Sequence, residues 1–309
     1  MFVGIDIGGT KTHVLAADGD DVVLDRVLPT REWQHNGLLD DERSVESLLS
    51  TFAALGDSSH SAVVIGAHGL DTRAQVRDFE RALRGQHRGP IRAVNDVELL
   101  GPAAGFTEAI AVVAGTGSKI VAHAADGSMI TAGGYGHLLG DPGSAAALAR
   151  EGMRAVLDAR DAGAEPDVLA QQLMRHFSVA DVEAAANSFA EDSRLAAWAS
   201  MAPMVFRAAD HGSTLAEVVI DDAARELARS VANVVARGAV SSDVVCAGGV
   251  ITNQPRLYDA FSRHVGALTP DLTVHLLDVP PVAGALALAR NSDGSHHHLT
   301  LHQESRRIS

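Results

Sequence analysis

Four short segments carry the residue types that phosphate chemistry needs. They are Asp6 with Gly8-Gly9-Thr10-Lys11-Thr12, then Asn95-Asp96, then Gly115-Thr116-Gly117, then Gly248-Gly249. A glycine turn lets main-chain N–H groups crowd together without interference from a Cβ, which suits the oxygens of a phosphate. Two of these turns belong to a repeat. Residues 3–28 (VGIDIGGTKTHVLAADGDDVVLDRVL) and 111–133 (AVVAGTGSKIVAHAADGSMITAG) share one plan. Each runs from an apolar stretch through a Gly-Gly-Thr or Gly-Thr-Gly turn into a β-rich stretch and on to Ala-Ala-Asp-Gly. Two such turns in two similar halves indicate two lobes gripping one polyphosphate, with a nucleotide site in the cleft.

The carboxylates divide the chemistry between them. Asp6, near the end of a strand pattern, can hold Mg²⁺ directly or through water beside phosphates bound in the turn. It can equally cap an ordinary hairpin, and Lys11 either touches a phosphate or stays solvated. Asp96 follows the apolar run IRAV and precedes a helix start. That is where open α/β sheets bind ligands, so Asp96 is placed to accept a hydroxyl proton during phosphoryl transfer. The competing role there is a helix N-cap, which either Asn95 or Asp96 would fill.

Residues 133–145 (GGYGHLLGDPGSA) hold five glycines with His137 and Asp141, too long and polar a stretch for a mere turn. The glycines permit close approach to a ligand, and Asp141 offers an acceptor for sugar hydroxyls. His137 reads as a structural hydrogen-bonding residue. Ser144 lacks the G-x-S-x-G elbow of a nucleophile. Trp33, Gln34, His35 and Asn36 suit a carbohydrate, one ring for a sugar face and amide or imidazole groups for its hydroxyls. They are also compatible with an exposed loop.

The elements that must position these residues follow from periodicity. Strands are expected at 2–7, 12–17 and 21–28, a helix over about 40–55, a strand at 61–67, a helix near 73–84 and a strand at 90–94. Three sequential strands followed by alternation indicate an α/β sheet with a mixed edge. The order repeats with strands near 109–114, 118–124 and 128–132. A mostly helical stretch over 143–238 follows, with breaks at 163–166, 190–192 and 211–213. A strand at 243–247, a helix near 254–267, a strand at 272–276 and a helix over 282–290 complete the pattern. The tail from Asn291, with His296–His298, has no periodicity.

With 309 residues the chain can build two cores. A formal net charge of −14 argues against a nucleic-acid partner. A mean hydropathy of +0.08 and short apolar runs argue against a membrane span. Met1 leads directly into a strand pattern, so no secretory signal is expected and the cytoplasm is the expected compartment. Cys246, the single cysteine, can form no disulfide and hold no cysteine-built metal centre within the chain; it reads as a small buried residue.

Taken together, GIDIGGTKT, VNDV, AGTGS, GGYGHLLGDPGSA and CAGGV resemble the N-acetylglucosamine kinase branch of the BadF/BadG-type ATPase family, within the superfamily of sugar kinases, heat-shock chaperones and actin. The likeness runs from residue 3 to about 290. The 133–145 block is specific to the family, whereas the repressor and kinase sugar kinases share the opening. Those carry a Cys-rich zinc motif, and the family's reductase activators hold an iron–sulfur cluster with cysteines; one cysteine supplies neither.

The resemblance implies two ribonuclease-H-like (actin-like ATPase) lobes, each a mixed five-stranded sheet with flanking helices, with the active site in the interlobe cleft. The lobes would span 1–108, with helix 282–290 packing on it, and 109–281 with a helical insertion; 291–309 would be a flexible tail. It implies transfer of phosphate from MgATP to the 6-hydroxyl of N-acetylglucosamine, or of glucosamine or another hexosamine, by a homodimer. A nucleotide-gated sugar-binding protein is the non-catalytic alternative. Asp96 would be the base and Asp6 would lie near Mg²⁺. Gly8, Gly9, Thr10, Lys11, Thr12, Gly115, Thr116 and Gly117 would hold phosphates, Gly248 and Gly249 would lie near the nucleoside, and Ala223 would line the adenine pocket. His35, Asn36, Gly134, Tyr135, Gly136 and Asp141 would contact the sugar. Pro142 stands where the family often has Glu, and Tyr135 where it often has Trp.

Overall fold

The computed structural model describes residues 1–34, 38, 42–53, 61–84 and 87–292. His35, Asn36 and His296–His298 lie outside the described residues. The chain divides into two compact units, one of Met1–Thr107 with the segment from Asp278 onward, the other of Glu108–Leu277. Residues 278–281 thus go with the first unit.

The first unit is built on β1 (Phe2–Ile7), β2 (Lys11–Asp18), β3 (Asp21–Pro29), β4 (Ala62–Ala67) and β5 (Ile91–Asn95). Their order is β3-β2-β1-β4-β5, with β2 antiparallel to both neighbours and β1, β4 and β5 parallel. Strand alternation divides its core between the two sheet faces. Val3, Ile5, Ile7, Val63 and Ile65 pack with Leu48 of α1 (Glu42–Ala53) and with Phe79 and Leu83 of α2 (Arg73–Arg84). Val64 and Val94 pack with Leu99, Ala285 and Ala289. After β5 come a 3-10 turn, Asp96–Leu99, and the short helix α3 (Leu100–Ala103).

The second unit repeats the plan with β6 (Ile110–Ala114), β7 (Ser118–His123), β8 (Met129–Gly133), β9 (Asp243–Ala247) and β10 (Thr273–Leu276), in the order β10-β9-β6-β7-β8. The two Ala-Ala-Asp-Gly turns share a geometry, with Gly19 at φ 59° and Gly127 at φ 72°. Between β8 and β9 lie five helices, α4 (Ala145–Asp161), α5 (Val168–Phe177), α6 (Val182–Glu191), α7 (Leu195–Asp210) and α8 (Thr214–Ala236). The break between α5 and α6 is absent from the sequence expectation. It is made by Ser178 in the left-handed region (φ 57°) and by Asp181, whose carboxylate caps α6 by accepting from the Ala184 N–H. The helix α9 (Pro255–Leu268) precedes β10. Finally, α10 (Val282–Asn291) packs on β1 in the first unit, where Gly4 leaves room for the Leu286 backbone.

Candidate active site

In the first unit the parallel strands deliver polar residues to one edge. Asp6 pairs in register with Gly66, and Asn95, the last residue of β5, with Ala67. The carboxyl ends of β1, β4 and β5 therefore bring Asp6, His68 and Asp96 to the same side of the sheet, where open α/β sheets bind their ligands. Gly66 makes the seat for Asp96. A Cβ there would meet the Leu99 side chain at 2.4 Å, so only glycine lets the 3-10 turn lie this close to β4.

Of the two residues that could cap the turn at 95–96, the structure uses Asn95. Asn95 is the cap, its side chain accepting from the Val97 N–H while Glu98 accepts from the Asn95 N–H. Its amide donates to the Leu70 carbonyl and to Asp71 Oδ1, which fixes the turn. Asp96 accepts from the Val97 N–H through Oδ1, and its Oδ2 lies 4.0 Å from His68 Nδ1. About a quarter of the Asp96 side chain remains exposed. His68 was not singled out from sequence, although it follows β4 as Asp96 follows β5.

Asp6 is the electrostatically unusual group. Burial first, and then the Asp96 charge, push its carboxyl up to about 7, against an opposing pull from the Lys11 ammonium. A buried carboxylate beside a second one is a poor anion alone and a good partner for a cation. Among the described residues no group of three or more His, Cys, Asp or Glu side chains could hold a metal. Mg²⁺ does not need one, because it keeps several waters and completes its shell with phosphate oxygens. Asp6 fits that use.

Gly8, Gly9 and Thr10 form the turn after β1, with Gly9, Thr10 and Lys11 exposed. Beneath it, hydroxyls brace the backbone. Trp33 Nε1 donates to Thr12 Oγ1 (3.0 Å), Thr12 and Thr30 share a hydrogen bond (3.1 Å), and Thr30 Oγ1 donates to the Gly8 carbonyl (2.8 Å). Two expectations are corrected here. Thr12 is 1% exposed and its hydroxyl is spent on this chain, so it supports the turn rather than touching phosphate. Trp33 is 2% exposed in the core, so its ring offers no face to a sugar.

In the second unit three glycine-containing loops converge. Gly115-Thr116-Gly117 closes on itself, the Gly115 N–H donating to the Gly117 carbonyl (2.9 Å), and the Gly115 carbonyl accepts from Ala145 (2.8 Å). The Val250 and Ile251 N–H groups both donate to the Ala114 carbonyl (3.1 Å each), holding the 248–251 loop against the end of β6. Gly248 has φ 109°, and a Cβ there would meet the Ala114 backbone at 2.6 Å. A side chain would both strain the backbone and clash. Thr116 and Gly249 are exposed.

Asp141 belongs to this convergence. It adopts φ 61°, is 5% exposed, and lies so close that a Cβ on Gly117 would be 3.0 Å from its Oδ2. Its Oδ1 and the neighbouring Ser118 Oγ are buried with no hydrogen-bond partner among the described residues. Buried polar atoms are nearly always satisfied, so an orphaned acceptor and an orphaned hydroxyl beside one turn are what a ligand's donors and acceptors would complete. Ser118 closes the AGTGS motif, whose sequence gives it no role of its own.

The loop that follows β8 is anchored at His137 and exposed at its tips. Gly134, Tyr135 and Gly136 are exposed, Tyr135 by 74%. His137 anchors it, Nε2 facing the Ser193 carbonyl (3.0 Å) and the ring set edge-on to Trp198, which stacks on Phe189. Ala223, half-buried on α8, lines a pocket of about 510 Å³ with Gly140, Pro142, Gly143 and residues of α4. Cys246 is fully buried, and burial pushes its thiol well above the ordinary value, so it is no nucleophile.

The chain is similar to known proteins along nearly its whole length. An N-acetylmuramic acid/N-acetylglucosamine kinase of Clostridium acetobutylicum is 29% identical over 301 residues, covering 94% of this chain and 98% of that one. An N-acetyl-D-glucosamine kinase of Dictyostelium discoideum is 25% identical over 327 residues, with 94% and 98% covered. A solved structure of a candidate N-acetylglucosamine kinase from Chromobacterium violaceum shares the fold at TM-score 0.68 and 22% identity, covering 93% of this chain and 98% of its own. Its fold is the one the two five-stranded sheets of this chain share. A profile of the BadF/BadG/BcrA/BcrD ATPase family matches residues 3–287, and the chain belongs to that family.

Proposed function

We propose that the protein is an ATP-dependent kinase that phosphorylates the 6-hydroxyl of an amino sugar, with N-acetylglucosamine the foremost substrate. The observation that carries this reading is the placement of Asp96 at the carboxyl edge of the sheet, with Asn95 as the N-cap and Asp6 close enough for its carboxyl to feel the Asp96 charge. The full-length likeness to two amino-sugar kinases supports the substrate class.

In this reading Asp96 accepts the proton of the sugar hydroxyl as its oxygen bonds to the γ-phosphorus and the bond to the ADP oxygen breaks. Mg²⁺, held near Asp6, would neutralise charge on the phosphates. The Gly8–Thr10 and Gly115–Gly117 turns present main-chain N–H groups to phosphate oxygens. Asp141 Oδ1, the orphaned acceptor, takes a donor of the sugar. Gly248, Gly249 and Ala223 serve the nucleoside, and Gly134–Gly136 and Asn36 the sugar. The enzyme works in the cytoplasm as a homodimer, a state that light scattering would test.

The first test is ADP release from MgATP with N-acetylglucosamine, glucosamine, N-acetylmannosamine, N-acetylmuramic acid, glucose or no sugar. Strong stimulation by an amino sugar is expected. Nucleotide binding without stimulation by any sugar would sink the kinase reading and leave a nucleotide-gated binding protein. N-acetylmuramic acid is included because the Clostridium relative carries it in its name.

A further inference from the structure

Arg150, six residues into α4, does something that none of the sequence motifs announces. Its Nη1 donates to the His137 carbonyl and its Nη2 to the Gly140 carbonyl (3.3 Å), while Nε donates to Glu151 Oε1 (2.8 Å). The guanidinium thus grips both ends of the 137–140 segment, which carries Leu138 and Leu139 exposed by 62% and 85%. The same side chain, only 20% exposed, forms part of the wall of the 510 Å³ pocket with Ala223, Gly143 and Pro142. One planar cation therefore touches the glycine loop on one side and borders the pocket on the other. A bidentate fork of this kind fixes geometry in a way that a lysine's point charge does not.

We propose that Arg150 is a positioning residue that sets the Gly134–Gly140 loop for sugar binding and links that loop to occupancy of the neighbouring pocket. The inference rests on the amino-sugar kinase reading, in which the loop contacts the sugar and the pocket receives the nucleoside. Arg150 touches neither reacting atom. It acts through the His137 and Gly140 carbonyls, and so it governs where the loop sits when the sugar arrives. A nucleoside seated against the guanidinium limits its rotamers, and the loop shares in that ordering. The charge is not spare, since Glu151 holds Nε and Glu151 also accepts from Arg154 (3.0 Å).

The test compares wild type, R150Q and R150K in steady-state kinetics, and by calorimetry of N-acetylglucosamine with and without a non-hydrolysable ATP analogue. Losing two charge-assisted hydrogen bonds to carbonyls is expected to raise the sugar KM about tenfold or more in R150Q, with the ATP KM changed much less. R150K keeps the charge and reaches one carbonyl, so an intermediate sugar KM is expected. The analogue should tighten sugar binding in wild type, and R150Q should reduce that ratio towards one. General damage to α4 would lower melting temperature and weaken both substrates together without this split. Sugar KM values within twofold of wild type in both variants, or an unchanged binding ratio, overturn the proposal while leaving the kinase reading intact. A wild-type protein that no amino sugar stimulates overturns the kinase reading and this inference with it.

Discussion

Asp6 makes the stability of this protein depend on pH in an uncommon direction. Most carboxyls in folded proteins are stabilised as anions, so stability rises with pH through their titration. The Asp6 carboxyl instead stands at about 7 against an ordinary 3.8, chiefly because it is buried and secondly because Asp96 is near. The folded chain therefore holds this proton when the unfolded chain has released it. Stability falls as pH rises from about 4 to about 7 and is level above that. Between pH 5 and pH 7 the loss is on the order of 2 kcal/mol, the slope flattening as the folded carboxyl itself begins to titrate.

Asp6→Asn removes the titration and keeps the shape. In EDTA, the stability of D6N relative to wild type should rise by about 2 kcal/mol between pH 5 and pH 8, a relative melting shift of several degrees. Added Mg²⁺ should stabilise wild type at pH 8, do so far less at pH 5, and have little effect on D6N. D96N should shrink the pH-dependent loss, because the like charge that raises Asp6 is gone. Thermal melts of the three proteins at both pH values, with and without Mg²⁺, decide it. A D6N-minus-wild-type difference that is the same at pH 5 and pH 8 would refute the reasoning.

Other substitutions read the remaining parts of the site. D96N should bind nucleotide and sugar within a few-fold of wild type while turnover falls by about 10²–10⁴; titration calorimetry beside an ADP-release assay would show it, and near-normal turnover would remove Asp96 from its role. Thr12→Val leaves the buried Trp33 N–H without its acceptor, so denaturant unfolding should report a loss of about 1–3 kcal/mol. Trp33→Phe removes that donor and leaves a cavity where the second ring of the indole lay, so it should cost about 1–3 kcal/mol of stability and leave the sugar KM unchanged, whereas a large rise would return the ring to the sugar. Gly248→Ala places a Cβ against the Ala114 backbone in a left-handed residue, so it should destabilise the second unit by several kcal/mol, visible as a lowered melting temperature or loss of soluble protein.

The parts of this molecule that were legible in sequence are those whose signal is local. The strand at 243–247 and the helix over 73–84 coincide with the structure, because their apolar spacing and terminal residues lie within the elements themselves. The repeated turns were legible for the same reason, and so was the position of Asp96 directly after a strand. The α5–α6 break carries neither Gly nor Pro; it is made by an exposed serine in the left-handed region whose N–H closes back on the last turn of α5, and Asp181 is the available cue.

What stayed hidden depends on residues far apart in the chain. Whether Trp33 faces a sugar or the core is decided by Thr12, 21 residues away in β2, and nothing in the sequence around Trp33 announces that buried acceptor. Asp141 shows the same limit from the other side. Its sequence context marks it as a sugar acceptor, but only the fold shows that its carboxylate is buried against Gly117 with one oxygen unpaired. That unpaired oxygen constrains function more tightly than the motif does, because a buried acceptor costs stability until a donor arrives. A ligand that supplies an N–H or O–H there gains from the mismatch, and one that presents only oxygens without protons does not. In the proposed kinase reading, the hydroxyl and amide donors of an amino sugar would meet that demand.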